Sequence, residues 1–337
     1  MQNRSSSLAI GVDLGATKIA AALVAPDGTV LSTRQTPTKA EGGEQVVLSR
    51  IARQVNALIE AAPEKLLGIG IGTPGQVNSK EGIVRNAVNL GWEQVGLVDE
   101  IRARLSQDLP IWIQKDANAS ALGEYYFGAA RGCPDFVYLS VGSGLGGGIL
   151  SNGYLITGAN WNAAELGHLS LDPDGYLCTC GLRGCAETIV SGPGLAALVR
   201  DYLSQRRFPT RLAAGDDLNP ETILEAARTE DELAQKALFE VGRNLGMVMA
   251  ACASALNPAL FVIAGGLGLA AFDLIVPPAR MELERRVLPA SFQDLRITPS
   301  SLTSSAVGAA SLTWYFSDIR KHSLEEEPTN FFTLDRS

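Results

Sequence analysis

The chain has 337 residues, 46% hydrophobic and 19% charged, with 28 Lys and Arg against 36 Asp and Glu for a net charge of −8. At about 150 residues per domain this length predicts two domains or one domain of two lobes, and chains near this size hide about 75% of their unfolded surface. The acidic balance supplies no basic footprint for nucleic acid, the apolar content excludes general disorder, and five cysteines are too few for a secreted disulfide scaffold.

In chain order, the polar residues 1–7 and the Asp13 that interrupts the next apolar stretch do not read as a signal peptide. Residues 8–14 form a short strand ending in Asp13-Leu14-Gly15-Ala16-Thr17-Lys18, residues 19–25 a second, and Pro26-Asp27-Gly28 turns into a third at 29–33. Val47, Ile51, Val55, Leu58 and Ile59 set a helix over 44–61, closed by Pro63. A strand at 67–71 runs into Gly72-Thr73-Pro74-Gly75; a helix at 98–105, a strand at 111–114 and a helix at 117–127 follow. Residues 136–141 make a strand, 142–148 a loop with five glycines, and 149–150 resume the strand. Residues 160–187 are polar and turn-rich, and helices dominate 194–256 around a polar loop at 208–219. The apolar stretch 247–272 is cut by Asn257-Pro258 and Gly265-Gly266, so it reads as a buried helix and a buried strand (260–264), not a membrane span. An amphipathic helix at 304–316 precedes a charged tail at 321–337 that holds His322, and the chain is expected to be soluble and cytoplasmic. Each half opens with a strand, a glycine turn carrying a hydroxyl and a second strand, a repeat that suggests a nucleotide held between two lobes.

Glycine is the outlier, 35 residues or about one in ten against an average of about 7%. Without a Gly-X-Y period this is no collagen, and the glycines gather where apolar runs end, as they do where backbone approaches phosphate. The Asp13 turn offers a carboxylate for Mg²⁺ with Gly15, Thr17 and Lys18 for phosphate oxygens; an ordinary hairpin turn is the alternative. The 142–148 run lacks the closing Gly-Lys-Ser/Thr of a Walker loop, and paired with the Asp13 turn it favours phosphate cradling over a merely flexible hairpin. Asp116 sits at a strand–helix junction, either as a helix N-cap or as a general base at the carboxyl end of a strand. His168, Cys178, Cys180 and Cys185 supply one imidazole and three thiols, a closed tetrahedral set of the structural zinc type, which would hold the flanking Glu165 and Glu187 rigidly. Cys133 and Cys252 read as buried fillers.

These motifs together resemble the ROK family of bacterial sugar kinases and related repressors. The residues that carry the likeness are Asp-X-Gly-X-Thr-Lys at 13–18, Gly-Thr-Pro-Gly at 72–75, Asp-Ala-Asn at 116–118, the 142–148 loop, Glu-X-Gly-His at 165–168, Cys-X-Cys-Gly-X-X-Gly-Cys-X-Glu at 178–187 and Ala264-Gly265-Gly266. The resemblance implies an α/β, actin-like ATPase (ribonuclease H-like) fold of two lobes with a central cleft: a small lobe of 1–117 with 305–320 and a large lobe of 118–304. It implies ATP-dependent phosphorylation of a hexose 6-hydroxyl, with Asp116 as the base. Asn89, Glu165, His168 and Glu187 would contact sugar hydroxyls, His168 also binding Zn²⁺ with Cys178, Cys180 and Cys185. Asp13, Gly15, Thr17, Lys18, Ser143 and Gly144 would hold phosphates and Mg²⁺, and Gly265 and Gly266 would lie beside the adenosine. A homodimer or homotetramer is the usual assembly of such proteins.

Two departures stand out. Lys115 occupies the place where the family carries Asn before the catalytic Asp, so it can donate to a sugar hydroxyl but not accept, and its charge favours the carboxylate form of Asp116. Ser143 replaces a common Thr and keeps the hydroxyl. Asn89-Leu90-Gly91-Trp92 resembles the glucokinase form of the sugar loop, which makes glucose the first expectation. N-acetylmannosamine, N-acetylglucosamine and fructose kinases share the cysteine loop, whereas polyphosphate-using relatives tend to lack it. The family's repressors carry a winged-helix module ahead of the sugar-kinase body, for which the short segment before Asp13 leaves no room; a sugar-binding regulator without catalysis is the other alternative, and the presence of Asp116 speaks against it.

Overall fold

The computed structural model describes residues 7–325. Contacts divide the chain into two units, one running to Gly123 and resuming at Ser304, the other Glu124–Thr303. The first unit opens with β1 (Leu8–Leu14), β2 (Lys18–Val24) and β3 (Val30–Pro37), followed by α1 (Glu44–Ala61) and β4 (Leu66–Thr73). Three short strands come next, β5 (Gln76–Asn78), β6 (Ile83–Ala87) and β7 (Trp92–Val95), then α2 (Leu97–Arg102), β8 (Ile111–Lys115) and α3 (Asp116–Phe127). The main sheet runs β3-β2-β1-β4-β8, antiparallel from β3 to β1 and parallel from β1 to β8. β1 and β4 are buried at nearly every position, as parallel strands covered on both faces must be. α1 buries Val47, Leu48, Ile51, Val55 and Leu58, the helical spacing visible in the sequence, while Ile59 is only partly buried. The small β5-β6-β7 sheet was not expected. The division between units falls after Gly123, inside the continuous helix α3, where the sequence places it after Ala117.

The second unit contains β9 (Phe136–Val141), β10 (Leu145–Ser151) and β11 (Tyr154–Leu155), the helices α4 (Gly192–Ser204), α5 (Pro220–Arg228) and α6 (Glu232–Leu256), and β12 (Leu260–Ala264). α7 (Gly266–Ala270), α8 (Phe272–Glu284), α9 (Pro289–Phe292) and β13 (Arg296–Pro299) complete it. Its sheet runs β11-β10-β9-β12-β13, again two antiparallel pairings followed by two parallel ones. The repeat glimpsed in the sequence therefore extends over a whole sheet in each unit. One expectation is corrected: the glycine loop is not 142–148, because β10 starts at Leu145 and Gly146, Gly147 and Gly148 pair with Ser140, Leu139 and Tyr138. A Cβ on Gly147 would stand 2.6 Å from the Ala164 carbonyl oxygen, so these glycines admit a crossing segment rather than make a loop. Residues 247–272 are the end of α6, β12 and α7, and among the described residues no helix is long and apolar enough to cross a membrane.

α10 (Ser305–Glu325) returns to the first unit and packs along β1 and β4. A Cβ on Gly11 would lie 1.9 Å from the Ala306 carbonyl oxygen, and one on Gly70 the same 1.9 Å from that of Ala309. Backbone cannot yield as a side-chain tip can, so Gly11→Ala is expected to destabilise the protein by about 3 kcal/mol or more. Urea unfolding measures this; a loss well under about 1 kcal/mol would show that α10 can withdraw. The helix continues through 321–325, so the charged segment starts as helix, and 326–337 lie outside the described residues.

Candidate functional site

In the first unit the carboxyl ends of β1, β4 and β8 line up, with Asp13 paired to Gly72 and Gly72 to Gln114. That edge is where open α/β sheets place ligands. The turn after Asp13 is tightly made: the Gly15 N–H donates to the Lys18 carbonyl (2.9 Å), and the buried Thr38 binds it twice, donating its N–H to the Thr17 carbonyl (2.9 Å) and its hydroxyl to that of Gly15 (2.7 Å). Ala16, Thr17 and Lys18 remain exposed beyond it. The Ser305 hydroxyl, at the start of α10, donates to Asp13 Oδ2 at 2.5 Å.

Burial pushes the Asp13 carboxyl above the ordinary carboxylate range, opposed by the Ser305 hydrogen bond and the Lys18 charge. A carboxyl whose native pKa is raised costs native stability as pH rises through that pKa, and the cost persists at neutral pH. Asp13→Asn keeps an acceptor for Ser305 and removes the charge. Its melting temperature is expected to exceed that of the wild type at pH 7, with the difference shrinking toward about pH 4. Thermal unfolding across that range checks the sign; a less stable variant at pH 7 would contradict it.

Asp116 begins α3 one residue beyond β8, with Oδ1 accepting the Ala117 N–H at 2.7 Å. It is exposed, while Lys115 beside it is buried at 8% exposure. Gln114 braces the junction: its Oε1 accepts the Lys115 N–H (2.9 Å) and Asn118 Nδ2 (3.2 Å), and its Nε2 donates to Ser79 Oγ (3.1 Å). Asn89 is exposed on a single 3-10 turn, Val88–Leu90, between β6 and β7.

In the second unit β9 and β12 run parallel and end side by side. β9 passes into Gly142-Ser143-Gly144, closed by the Gly142 N–H donating to the Gly144 carbonyl (2.9 Å), and β12 passes into Gly265-Gly266. Gly265 has φ +83° and a Cβ there would meet the Val141 carbonyl oxygen at 2.4 Å, so this junction admits only glycine. A cavity of about 550 Å³ opens beside these two turns, walled by Pro193, Ala196 and Arg200 of α4, residues 217–221, Leu224 of α5 and Leu267 of α7. Its volume and its mixture of apolar walls with a few polar groups suit a nucleoside-sized ligand. The sequence pointed to the glycines but not to these walls, which read there as helix and, at 217–219, as the end of a polar loop.

The cysteine segment folds onto the same unit. A 3-10 turn, Leu166–His168, lies against β10, where a Cβ on Gly167 would sit 2.4 Å from the Leu145 carbonyl oxygen. This explains the glycine between Glu165 and His168 in the sequence. The ligand atoms of His168, Cys178, Cys180 and Cys185 all lie within 4.8 Å of one another. Cys180 and Cys185 sulfurs are 3.6 Å apart, and Cys178 Sγ is 3.8 Å from His168 Nδ1. A tetrahedron about zinc with about 2.3 Å Zn–S bonds has edges of about 3.8 Å, so the set has the size and donors that ion needs. Burial, helped by the neighbouring sulfurs, pushes the Cys185 thiol up to about 12, whereas the Leu182 backbone holds Cys180 below the usual thiol range. Glu187, on the 3-10 turn Ala186–Thr188, reaches back to accept the Leu145 N–H on Oε2 at 3.1 Å.

The structure thus gathers Asp13, Gly15, Thr17 and Lys18 in one turn with Asp116 on the same sheet edge, and places Asn89 apart on its own turn. It gathers Ser143 and Gly144 with Gly265 and Gly266, and His168 with the three cysteines. The model of the ROK family matches residues 9–314. Glucokinase from Thermotoga maritima is 33% identical over 309 residues, 90% of this chain and 96% of that protein. A ROK family glucokinase from Streptomyces griseus, solved with glucose and AMPPNP, superposes with a TM-score of 0.75 at 33% identity, over 91% of this chain and 99% of that one. A ROK family transcriptional regulator, a homolog of the E. coli MLC protein, superposes with a TM-score of 0.83 at 28% identity, over 97% of this chain and 83% of that one.

Proposed function

Because the chain belongs to the ROK family, we propose that it is an ATP-dependent sugar kinase that transfers the γ-phosphoryl group to the 6-hydroxyl of a hexose, with glucose the preferred acceptor. Its fold is the α/β actin-like ATPase fold of two lobes. The observation that carries the reading is Asp116 at the carboxyl end of β8, in a chain whose glucokinase relatives match it nearly end to end. Asp116 takes the proton of the 6-hydroxyl as its oxygen attacks the γ-phosphorus and the bond to the bridging oxygen of ADP breaks. Phosphoryl transfer asks the protein mainly to position and to neutralise charge. Thr17 and Lys18 with Gly15 serve the transferring phosphates, and Ser143 with Gly144 those nearer the nucleoside. Gly265 and Gly266 lie along the adenosine, whose base fills the cavity between α4, α5 and α7.

Mg²⁺ would accompany ATP and supply charge neutralisation, and the Asp13 carboxylate would hold it. Zn²⁺ fits the His168, Cys178, Cys180 and Cys185 set and leaves no position for water, so its role is rigidity. Asn89, Glu165, His168 and Glu187 orient the sugar hydroxyls. Lys115 bears on the choice of sugar, since a buried ammonium donates but cannot accept.

The regulator likeness favours a second reading, a sugar sensor without turnover. ADP release from Mg·ATP against glucose, mannose, fructose, N-acetylglucosamine and N-acetylmannosamine separates the two. Turnover with glucose well above the others is expected. Turnover with another sugar would transfer the specificity to Lys115, and none with any of them would move the protein to the sensor class.

A further inference from the structure

The segment that leaves the cysteine cluster is fastened to the Gly142–Gly144 turn at two points. The Gly192 N–H, at the start of α4, donates to the Gly142 carbonyl at 2.8 Å. Five residues earlier, Glu187 Oε2 accepts the Leu145 N–H at 3.1 Å and rests against Gly144 so closely that a Cβ there would come within 2.4 Å of it. The other carboxylate oxygen, Oε1, lies 3.8 Å from Cys178 Sγ. Glu187 itself is held from behind. Its carbonyl accepts the Ser191 hydroxyl (2.8 Å), and Ser191 caps α4 by accepting the Gly194 N–H. Cys185, one of the cluster's ligand residues, is the residue from which the Ala186–Thr188 turn starts.

We propose that Glu187 is a positioning residue that couples the His168–Cys178–Cys180–Cys185 metal set to the Gly142–Gly144 turn, so that loading the set tightens nucleotide binding and not only sugar binding. The proposal rests on the reading that this turn holds nucleotide phosphates. The reasoning is mechanical. A metal fixes Cys178 and Cys185, one in contact with Glu187 and the other two residues before it. Glu187 in turn supplies the Leu145 N–H with a charged acceptor, and hydrogen bonds to charged groups are the strong ones. A turn of two glycines and a serine has little side-chain packing to hold it otherwise.

The test measures ADP affinity by calorimetry in the absence of sugar, which keeps any sugar contact of Glu187 out of the readout. Removing zinc from the wild type with a chelator is expected to weaken ADP binding about tenfold, a common size for coupling between sites. Glu187→Ala should weaken it by a similar factor and abolish the further effect of zinc removal, as one shared pathway requires. Glu187→Gln keeps the shape and an oxygen for the Leu145 N–H but loses the charge, so it should restore the affinity only in part, whereas loss of packing alone would predict full restoration. Equal ADP affinity with and without zinc would overturn the coupling, as would a Glu187→Ala variant still fully sensitive to zinc. Ser143→Asp tests the underlying reading separately: a carboxylate in the exposed turn should repel phosphate and cost ADP affinity whatever Glu187 does. If it costs nothing, the turn does not hold phosphate, and the coupling to nucleotide falls with it.

Discussion

Asp116→Asn is expected to lower kcat by about 10²–10⁴-fold while leaving the melting temperature and glucose affinity nearly unchanged. The separation follows from what the side chain does in the fold. Its Oδ1 accepts the Ala117 N–H at the start of α3, a contact that an Asn amide oxygen makes equally well. Removing the charge therefore spares the helix and takes away the group proposed to receive the hydroxyl proton. Asp116→Ala should add a structural cost of about 1 kcal/mol from the lost hydrogen bond to the Ala117 N–H, so the two variants distinguish that contact from the base. Steady-state ADP release, glucose titration and thermal unfolding of both provide the comparison. An Asn variant turning over within about threefold of wild type would remove Asp116 from the mechanism, because loss of a general base costs far more than that.

The sequence made such local features readable to different degrees, for physical reasons. α1 was legible to its ends because five apolar residues recur at helical spacing over 44–61 and the structure buries four of them fully. β9 and β12 were legible as short apolar runs between turns. The β5-β6-β7 sheet was not: its strands are three, five and four residues long and partly exposed, and Asn78, Gly82, Asn86 and Gly91 read as loop. The glycines of 142–148 were a true signal with two meanings. Gly142 and Gly144 make a turn, while Gly147 thins a strand where the 164–167 segment crosses it.

The metal set was the plainest feature of the site, since three cysteines within eight residues and one of only two histidines make a complete tetrahedral donor set. What no spacing rule reveals is a contact such as Glu187 with Leu145, 42 residues away. Nor did the sequence disclose the cavity walls. Ala196, Leu224 and Leu267 have the residue types of any buried helix face, and only the meeting of α4, α5 and α7 gives them a ligand to face.

Cys185→Ser is expected to abolish stoichiometric zinc and to lower kcat/KM for glucose about 10–100-fold, the range seen when the support of a metal-ordered site is removed. The stretch it closes has little regular structure to hold it. Between β11 and α4 the described residues form only two short 3-10 turns and the isolated pairings Ser170 with Cys185 and Leu177 with Arg183. Leu166, Ala186 and Val190 join the core of the second unit, but between Leu171 and Cys185 the leucines lie outside it, with Leu177 65% and Leu182 61% exposed. A stretch with so little regular structure and so little core of its own depends on a cross-link, and here the four ligand residues bracket it, from His168 to Cys185. The residues assigned to the sugar flank those ends: Glu165 precedes His168 by three positions, and Glu187 follows Cys185 by two. Losing the cross-link should therefore misplace sugar contacts without touching Asp116, so KM for glucose rises more than kcat falls. Cys252→Ser is the control, a buried cysteine on α6 outside the set, and should keep both zinc and activity. Metal analysis decides the premise: fully active wild type containing no zinc would refute the cross-link, whereas zinc near one per chain, lost together with glucose affinity in Cys185→Ser alone, would establish it.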